Sequence, residues 1–219
     1  MEYTNKYNMT KEQNIFLAKR NLVDSIWKSA NLEGIAVTYP ETQAILDGGN
    51  ANGLKMDEIV TINNLKHAWY FILENEDVSN NFNILREINK IVGANLIINC
   101  GDLRATPVTI GGTDWKPPFP IESQIKEELE ELLKIENETE RAITIMLWGM
   151  RRQMFIDGNK RTSMLFANKI MIENGCGIIT IPVKKQQDFF TKLLNFYKTN
   201  EMEDLKKWVY DNCIDGIEF

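Results

Sequence analysis

Between Thr139 and Met154, almost every side of any helix the chain could form is apolar. Ile143, Ile145, Met146, Leu147, Trp148 and Met150 leave no continuous polar face. A helix of that kind belongs among other helices. It runs into Phe155-Ile156-Asp157-Gly158-Asn159, whose Asp-Gly-Asn core is turn chemistry, and helical patterning resumes over residues 162–174. A buried helix, a turn and a second helix therefore form the expected centre of the fold.

The remaining periodicity supplies helices to surround that centre. Residues 11–32 carry Phe16, Leu17, Leu22, Val23, Ile26 and Trp27 at helical spacing. Thr10 is the expected N-cap and Gly34 the stop. A short helix is expected after Pro40, ending at Gly48-Gly49. Others are expected over 56–73, 82–96, 121–135, 184–198 and 202–213. Between Cys100 and Pro120 the character changes. Pro107, Gly111-Gly112 and Pro117-Pro118 exclude a helix. Pro107–Ile110 reads as an extended strand followed by a turn, and residues 178–183 as a short strand. The expectation is an all-α domain over residues 1–219 with one small β-element and no repeats or low-complexity linker.

With a net charge of −6 over 219 residues, the chain lacks the basic surface that non-specific nucleic-acid binding requires. The local cluster Arg151, Arg152, Lys160 and Arg161 is then expected to be a phosphate site. Cys100, Cys176 and Cys213 are odd in number and widely spaced, which suggests neither a zinc site nor a disulfide framework. A cytoplasmic setting is expected. Residues 1–11 are polar and carry no signal segment, and no apolar run reaches the length of a membrane span.

The turn itself has the residues of an anion loop. Phe155 can anchor it in the core. Asp157 is a hard oxygen ligand suited to magnesium. Gly158 and Asn159 can turn backbone amides toward an anion. Lys160 and Arg161 supply cations at a helix start, where the helix dipole also favours negative charge. A solvated turn between two helices is the competing reading.

The stretch Arg152–Thr162 resembles the signature loop of the Fic/Doc family, H-x-F-x-[DE]-G-N-[GK]-R, with Gln153 where that family has its catalytic histidine. Gly101-Asp102-Leu103-Arg104, running on to Trp115-Lys116-Pro117-Pro118, looks like the segment bearing the family's target-docking flap. Ser29-Ala30-Asn31-Leu32-Glu33-Gly34 is similar to its inhibitory motif, [ST]-x-x-x-E-[GN]. The resemblance spans residues 12–210. It implies a Fic-fold helical bundle with a β-hairpin flap near 101–120, an N-terminal inhibitory region over 12–50 and a core over 56–213. It also implies AMP transfer from ATP to a hydroxyl of a target protein, with histidine as general base. By the same resemblance Asp157 would hold Mg2+, and Gly158, Asn159, Lys160 and Arg161 would hold phosphates. Ser29, Glu33 and Gly34 would inhibit. Val108, Thr109, Ile110 and Gly111 would align a target segment by strand addition. The implied partners are ATP and a protein target, with self-association allowed and with no nucleic acid and no membrane.

Three departures matter. The Gln153 amide cannot take up a proton at neutral pH, and losing a general base costs roughly 10²–10⁴-fold in rate. The sole histidine, His67, reads as a core-edge or surface residue. Met164 stands where the AMP-transferring branch has a second arginine, which leaves Glu33 only Lys160 or Arg161 as partners. Lys160 matches Doc, the toxin branch that transfers phosphate. The expectation is a nucleotide-binding, catalytically impaired protein. The alternatives are an active AMP- or phosphotransferase, or a flap-mediated interaction module without catalysis. Trp115, in the flap segment, is expected to be exposed for target contact.

Overall fold

The computed structural model describes residues 3–49 and 53–218. In chain order the helices are α1 (Lys11–Arg20), α2 (Leu22–Leu32), α3 (Tyr39–Leu46), α4 (Met56–Glu74), α5 (Phe82–Val92), α6 (Glu122–Leu132), α7 (Glu138–Arg152), α8 (Asn159–Glu173), α9 (Gln186–Thr199) and α10 (Glu203–Asn212). Two short strands, β1 (Ile178–Ile179) and β2 (Ile214–Asp215), pair antiparallel. The fold is all-α, as the periodicity predicts. No helix among the described residues is long and apolar enough to cross a membrane.

The central helix is α8 rather than α7. Thirteen of its fifteen residues are buried, against nine of fifteen in α7. The sequence hides this because α8 is rich in polar residues. Each of several has a fixed partner, which is the condition for burying it. Ser163 Oγ donates to Asn159 O at 2.7 Å. Asn168 bonds both the N–H and the C=O of Ile179, at 2.7 and 2.9 Å. Lys169, wholly buried, pairs with Glu173 and donates to Val78 O. Helices α7 and α8 pack against each other around Gly149, where an added Cβ would lie 2.4 Å from Ser163 Oγ.

Several elements differ from the sequence expectation: besides a shorter α5 and a β1 of only two residues, three differences bear on the site. The helix expected over 11–32 is two helices that turn at Asn21, whose ψ of 12° leaves the helical range. Helix α1 packs on α8, while α2 packs on α3 and α4, so the two halves serve different neighbours. The second correction concerns the flap. Residues 103–121 are irregular, with the expected turn at Gly111-Gly112 but no strand ladder, and the two-stranded pair lies instead at 178–179 and 214–215. Finally, α8 begins at Asn159 rather than Thr162, which puts Lys160 and Arg161 inside its first turn.

Gly149→Ala should destabilise the protein by about 1–3 kcal/mol through overpacking, although alanine is favoured over glycine in a helix by about 1 kcal/mol. Urea denaturation would show a lowered midpoint, largely recovered by adding Ser163→Ala. Burial pushes the Cys176 thiol up to about 11 and the Cys213 thiol to about 12, whereas Cys100 is partly exposed. A thiol-exchange reagent at pH 8 should therefore titrate one cysteine rapidly in the native protein and three after unfolding.

Candidate active site around the α7–α8 turn

Helix α7 ends at Gln153, which adopts the left-handed conformation with φ 45° and ψ 51°. For a residue with a side chain this is an uncommon backbone, and its own amide helps hold it there. Gln153 Nε2 donates to Met150 O at 2.7 Å, while Gln153 Oε1 accepts from Asn159 Nδ2 at 3.2 Å. Asn159 closes the turn. Its Oδ1 accepts from Phe155 N–H at 3.0 Å and its Nδ2 donates to Phe155 O at 2.9 Å. Phe155 is buried in the core. Gly158, with φ 76°, then swings the chain into α8, and a Cβ there would crowd Val92 and Asn89. The amides from Gly158 to Arg161 head the helix, where intrahelical acceptors are lacking.

Asn89 of α5 is the support that the sequence reading missed. It is 1% exposed and binds three segments at once. Its Nδ2 donates to Asp157 O and to Thr162 Oγ1, each at 3.0 Å, and its Oδ1 accepts from Gly101 N–H at 2.8 Å. Its spacing from Phe82, Leu85 and Val92 puts it on the apolar stripe of α5, unlike the exposed Asn83, and a polar residue on a buried face was the signal that could have found it.

The candidate residues divide by where they fall. Arg161 is 5% exposed. Its Nη2 lies 3.0 Å from Asp157 Oδ2 and its Nε 3.4 Å from Glu33 Oε2. Lys160 Nζ lies 3.5 Å from Glu33 Oε1. The Glu33 carboxylate thus sits between the two cations at the start of α8. The contacts are electrostatic rather than well-aligned hydrogen bonds, because Glu33 Oε1 and Arg161 Nε are both buried without a hydrogen-bond partner. Gly34 follows with φ 81°, ending the α2 turn that presents Glu33. Ser29 is buried one turn earlier and lines a small void with Ser25, Arg161 and Met164. The Asp157 carboxylate is largely exposed.

Arg151 and Arg152 do not join the site, which corrects the expected four-residue cluster. Arg152 Nε lies 2.8 Å from Glu128 Oε2. The Arg151 guanidinium stacks over Trp115 at 4.5 Å and donates to the α9 carbonyls of Phe196 and Tyr197. Both side chains are committed to other partners, Arg152 to α6 and Arg151 to α9 and Trp115. Trp115 likewise departs from expectation: it is half-buried and stacks on Tyr197 at 5.6 Å.

Two clefts flank the loop. One, of ≈ 490 Å³, lies between Thr109, Ile110 and Gly111 of the flap segment and Phe190, Leu193, Leu194 and Tyr197 of α9, with Gln153 and Lys160 at its floor. Val108 is half-buried and outside this lining. Lys160 Nζ stands 5.6 Å over the Phe190 ring. Burial raises the Tyr197 phenol well above its ordinary value, opposed by the neighbouring Gln153 side chain. The second cleft, of ≈ 270 Å³, is lined by Glu33, Gly34, Ile35, Asp57, Glu58, Thr61, Asp157 and Arg161.

This arrangement of α5, flap segment, α7, loop and α8 falls within one recognised unit. Residues 80–171 match the model of the Fic/DOC family. No curated protein sequence matches the chain. Among solved structures, a Fic-1 fragment from C. elegans superposes with a TM-score of 0.75 at 20% identity, covering 90% of this chain and 62% of that one. A Fic domain-containing signaling protein from Bacteroides thetaiotaomicron superposes with a TM-score of 0.76 at 16% identity, covering 93% of this chain and 86% of that one. A Fic family protein from Desulfovibrio desulfuricans gives a TM-score of 0.71 at 17% identity, covering 91% of this chain and 66% of that one. This chain therefore spans less than two thirds of the C. elegans and Desulfovibrio chains. At these identities the structures show a shared fold. The Fic/DOC match covers the loop and the flap, while α2 with Glu33 lies outside it.

Asn89→Ala should remove three buried hydrogen bonds and lower stability by about 2–4 kcal/mol. The loss should appear as a lower thermal midpoint together with faster protease cleavage near residues 155–158.

Proposed function

We propose that the chain binds a magnesium-nucleotide at the α7–α8 loop, that Glu33 guards this site, and that Gln153 leaves little or no capacity for group transfer. The observation that carries the reading is the Glu33 carboxylate seated between Lys160 and Arg161 at the N-terminus of α8. A buried arginine and a helix start form an anion seat, and here an internal carboxylate fills it. A phosphate would meet the same two cations and the same amides.

The residues fit a nucleotide with its metal. Asp157 offers a largely exposed carboxylate on the cleft side of Arg161. The described residues hold no group of three or more potential metal ligands. One carboxylate suits magnesium, which is commonly held by one or two carboxylates together with substrate phosphates and waters. When bound, magnesium would neutralise phosphate charge. Lys160 and Arg161 would position the phosphates, and the apolar wall of Phe190, Leu193 and Leu194 offers a face for a base or a target side chain.

Fic/DOC relatives suggest transfer of a nucleotide-derived group to a protein hydroxyl. Two observations support impairment of that step here. Gln153 has no basic atom, and both ends of its amide are engaged, by Met150 O and by Asn159. An amide so engaged serves as a helix cap. A second reading, phosphate transfer, is favoured by Lys160, a point charge on the cleft floor that matches the Doc-like loop.

Titration calorimetry with ATP and magnesium should show binding that tightens about tenfold or more in Glu33→Gly, as expected when an internal competitor worth roughly 1.4 kcal/mol is removed. Absence of binding in both proteins would end the nucleotide reading. Incubation with ATP should label no protein from either α- or γ-phosphate, and Gln153→His should gain the α-label. Wild-type labelling that disappears in Asp157→Ala would overturn the impairment.

A further inference from the structure

Arg104 is 5% exposed, and every hydrogen bond of its guanidinium goes to a backbone carbonyl. Nε donates to Gln153 O at 2.7 Å and Nη1 to Thr106 O at 2.9 Å. Nη2 donates to Pro117 O at 3.3 Å and Pro118 O at 2.5 Å. Its backbone N–H donates to Met154 O at 3.0 Å. Buried guanidinium groups ordinarily pair with carboxylates. This one is held by carbonyl dipoles drawn from three places: the start of the flap, the end of the flap, and Gln153 at the start of the loop.

The flap has no strand ladder of its own. Its two ends are joined to each other, and to the left-handed residue that starts the loop, through a single planar fork. We propose that Arg104 is the positioning residue that couples the flap to the loop, so that a partner displacing the flap also displaces the Gln153 carbonyl and the turn that aims the α8 amides. The consequence is that occupancy of the flap and occupancy of the anion seat influence one another. This rests on the reading of the loop as a phosphate site, but the mechanical coupling can be tested without any ligand.

The test is a double-variant cycle read by amide hydrogen exchange. Trp115→Ala loosens the flap by removing its stack on Tyr197 and Arg151. Arg104→Lys retains charge but presents a point donor in place of a fork. The reporters are the Gln153 and Phe155 amides, bonded to Gly149 O and Asn159 Oδ1. With Arg104 present, Trp115→Ala should speed exchange of both reporters about tenfold, the mark of a local opening. In the Arg104→Lys background the same change should add less than about twofold, because coupled sites are non-additive. Equal acceleration in both backgrounds, or none with Arg104 present, would overturn the proposal. Arg104→Met, which keeps the stem and loses the donors, serves the same cycle if the lysine variant does not fold. Titration of the four proteins with ATP and magnesium separates the two ideas. If wild type does not bind, the nucleotide reading falls and the exchange cycle alone decides the coupling. If wild type binds, Arg104→Lys should bind at least about tenfold more weakly, and unchanged affinity would overturn the link to the anion seat.

Discussion

Irregular backbone buried in a helical protein needs hydrogen-bond partners that no helix ladder supplies. In this chain buried asparagine side chains supply them. Asn14 of α1 bonds both the N–H and the C=O of Gly177, and Asn168 of α8 does the same for Ile179. Asn159 treats Phe155 in the same way. Each carboxamide stands in for a peptide group and converts a loose segment into something close to a strand pair. Asn64 and Asn89 extend the device, tying the turns after α5 and around the loop to the helices beneath.

The geometry of the site follows from this stapling. Asn159 and Asn89 hold the loop from two sides, so the amides at the start of α8 point in a fixed direction before any ligand arrives. The cations at that point would repel one another if left alone, and Glu33 relieves them. Glu33 reaches them because α2 ends at Gly34, whose positive φ closes the helix and leaves the carboxylate at its tip. Removing the carboxylate would leave Arg161 buried against the Asp157 carboxylate alone, while Lys160 keeps only its place over the Phe190 ring. A buried charge without its counter-charge is costly, and an incoming phosphate would restore the balance.

Some of this was legible in the sequence. The apolar character of α7 required neighbouring helices around it, and Asp157-Gly158-Asn159 required a turn. Gly34 and Gly158 both take the left-handed backbone that glycine favours. What the sequence concealed depends on partners distant in the chain. The depth of α8 was masked by its polar residues, which are buried only because Glu33, Glu173, Val78 and Ile179 meet them. The role of Arg104 leaves no local pattern, since its bonds run to backbone atoms. Arg151 and Arg152 looked like members of the loop by adjacency, but helical rotation turns them toward Trp115 and Glu128. The predicted hairpin did not form, and the ends of its segment are held by the Arg104 guanidinium in place of a strand ladder.

The mounting of the flap has an evolutionary corollary. Its fasteners to Arg104 are the carbonyls of Thr106, Pro117 and Pro118, and every amino acid has a carbonyl. Ile110 still packs against the core, but the exposed Thr109 side chain is relieved of structural duty. Substitution there can alter what the cleft recognises without unseating the segment that displays it. A scaffold of this kind separates the holder from the thing held, and lineages can retarget the surface one residue at a time.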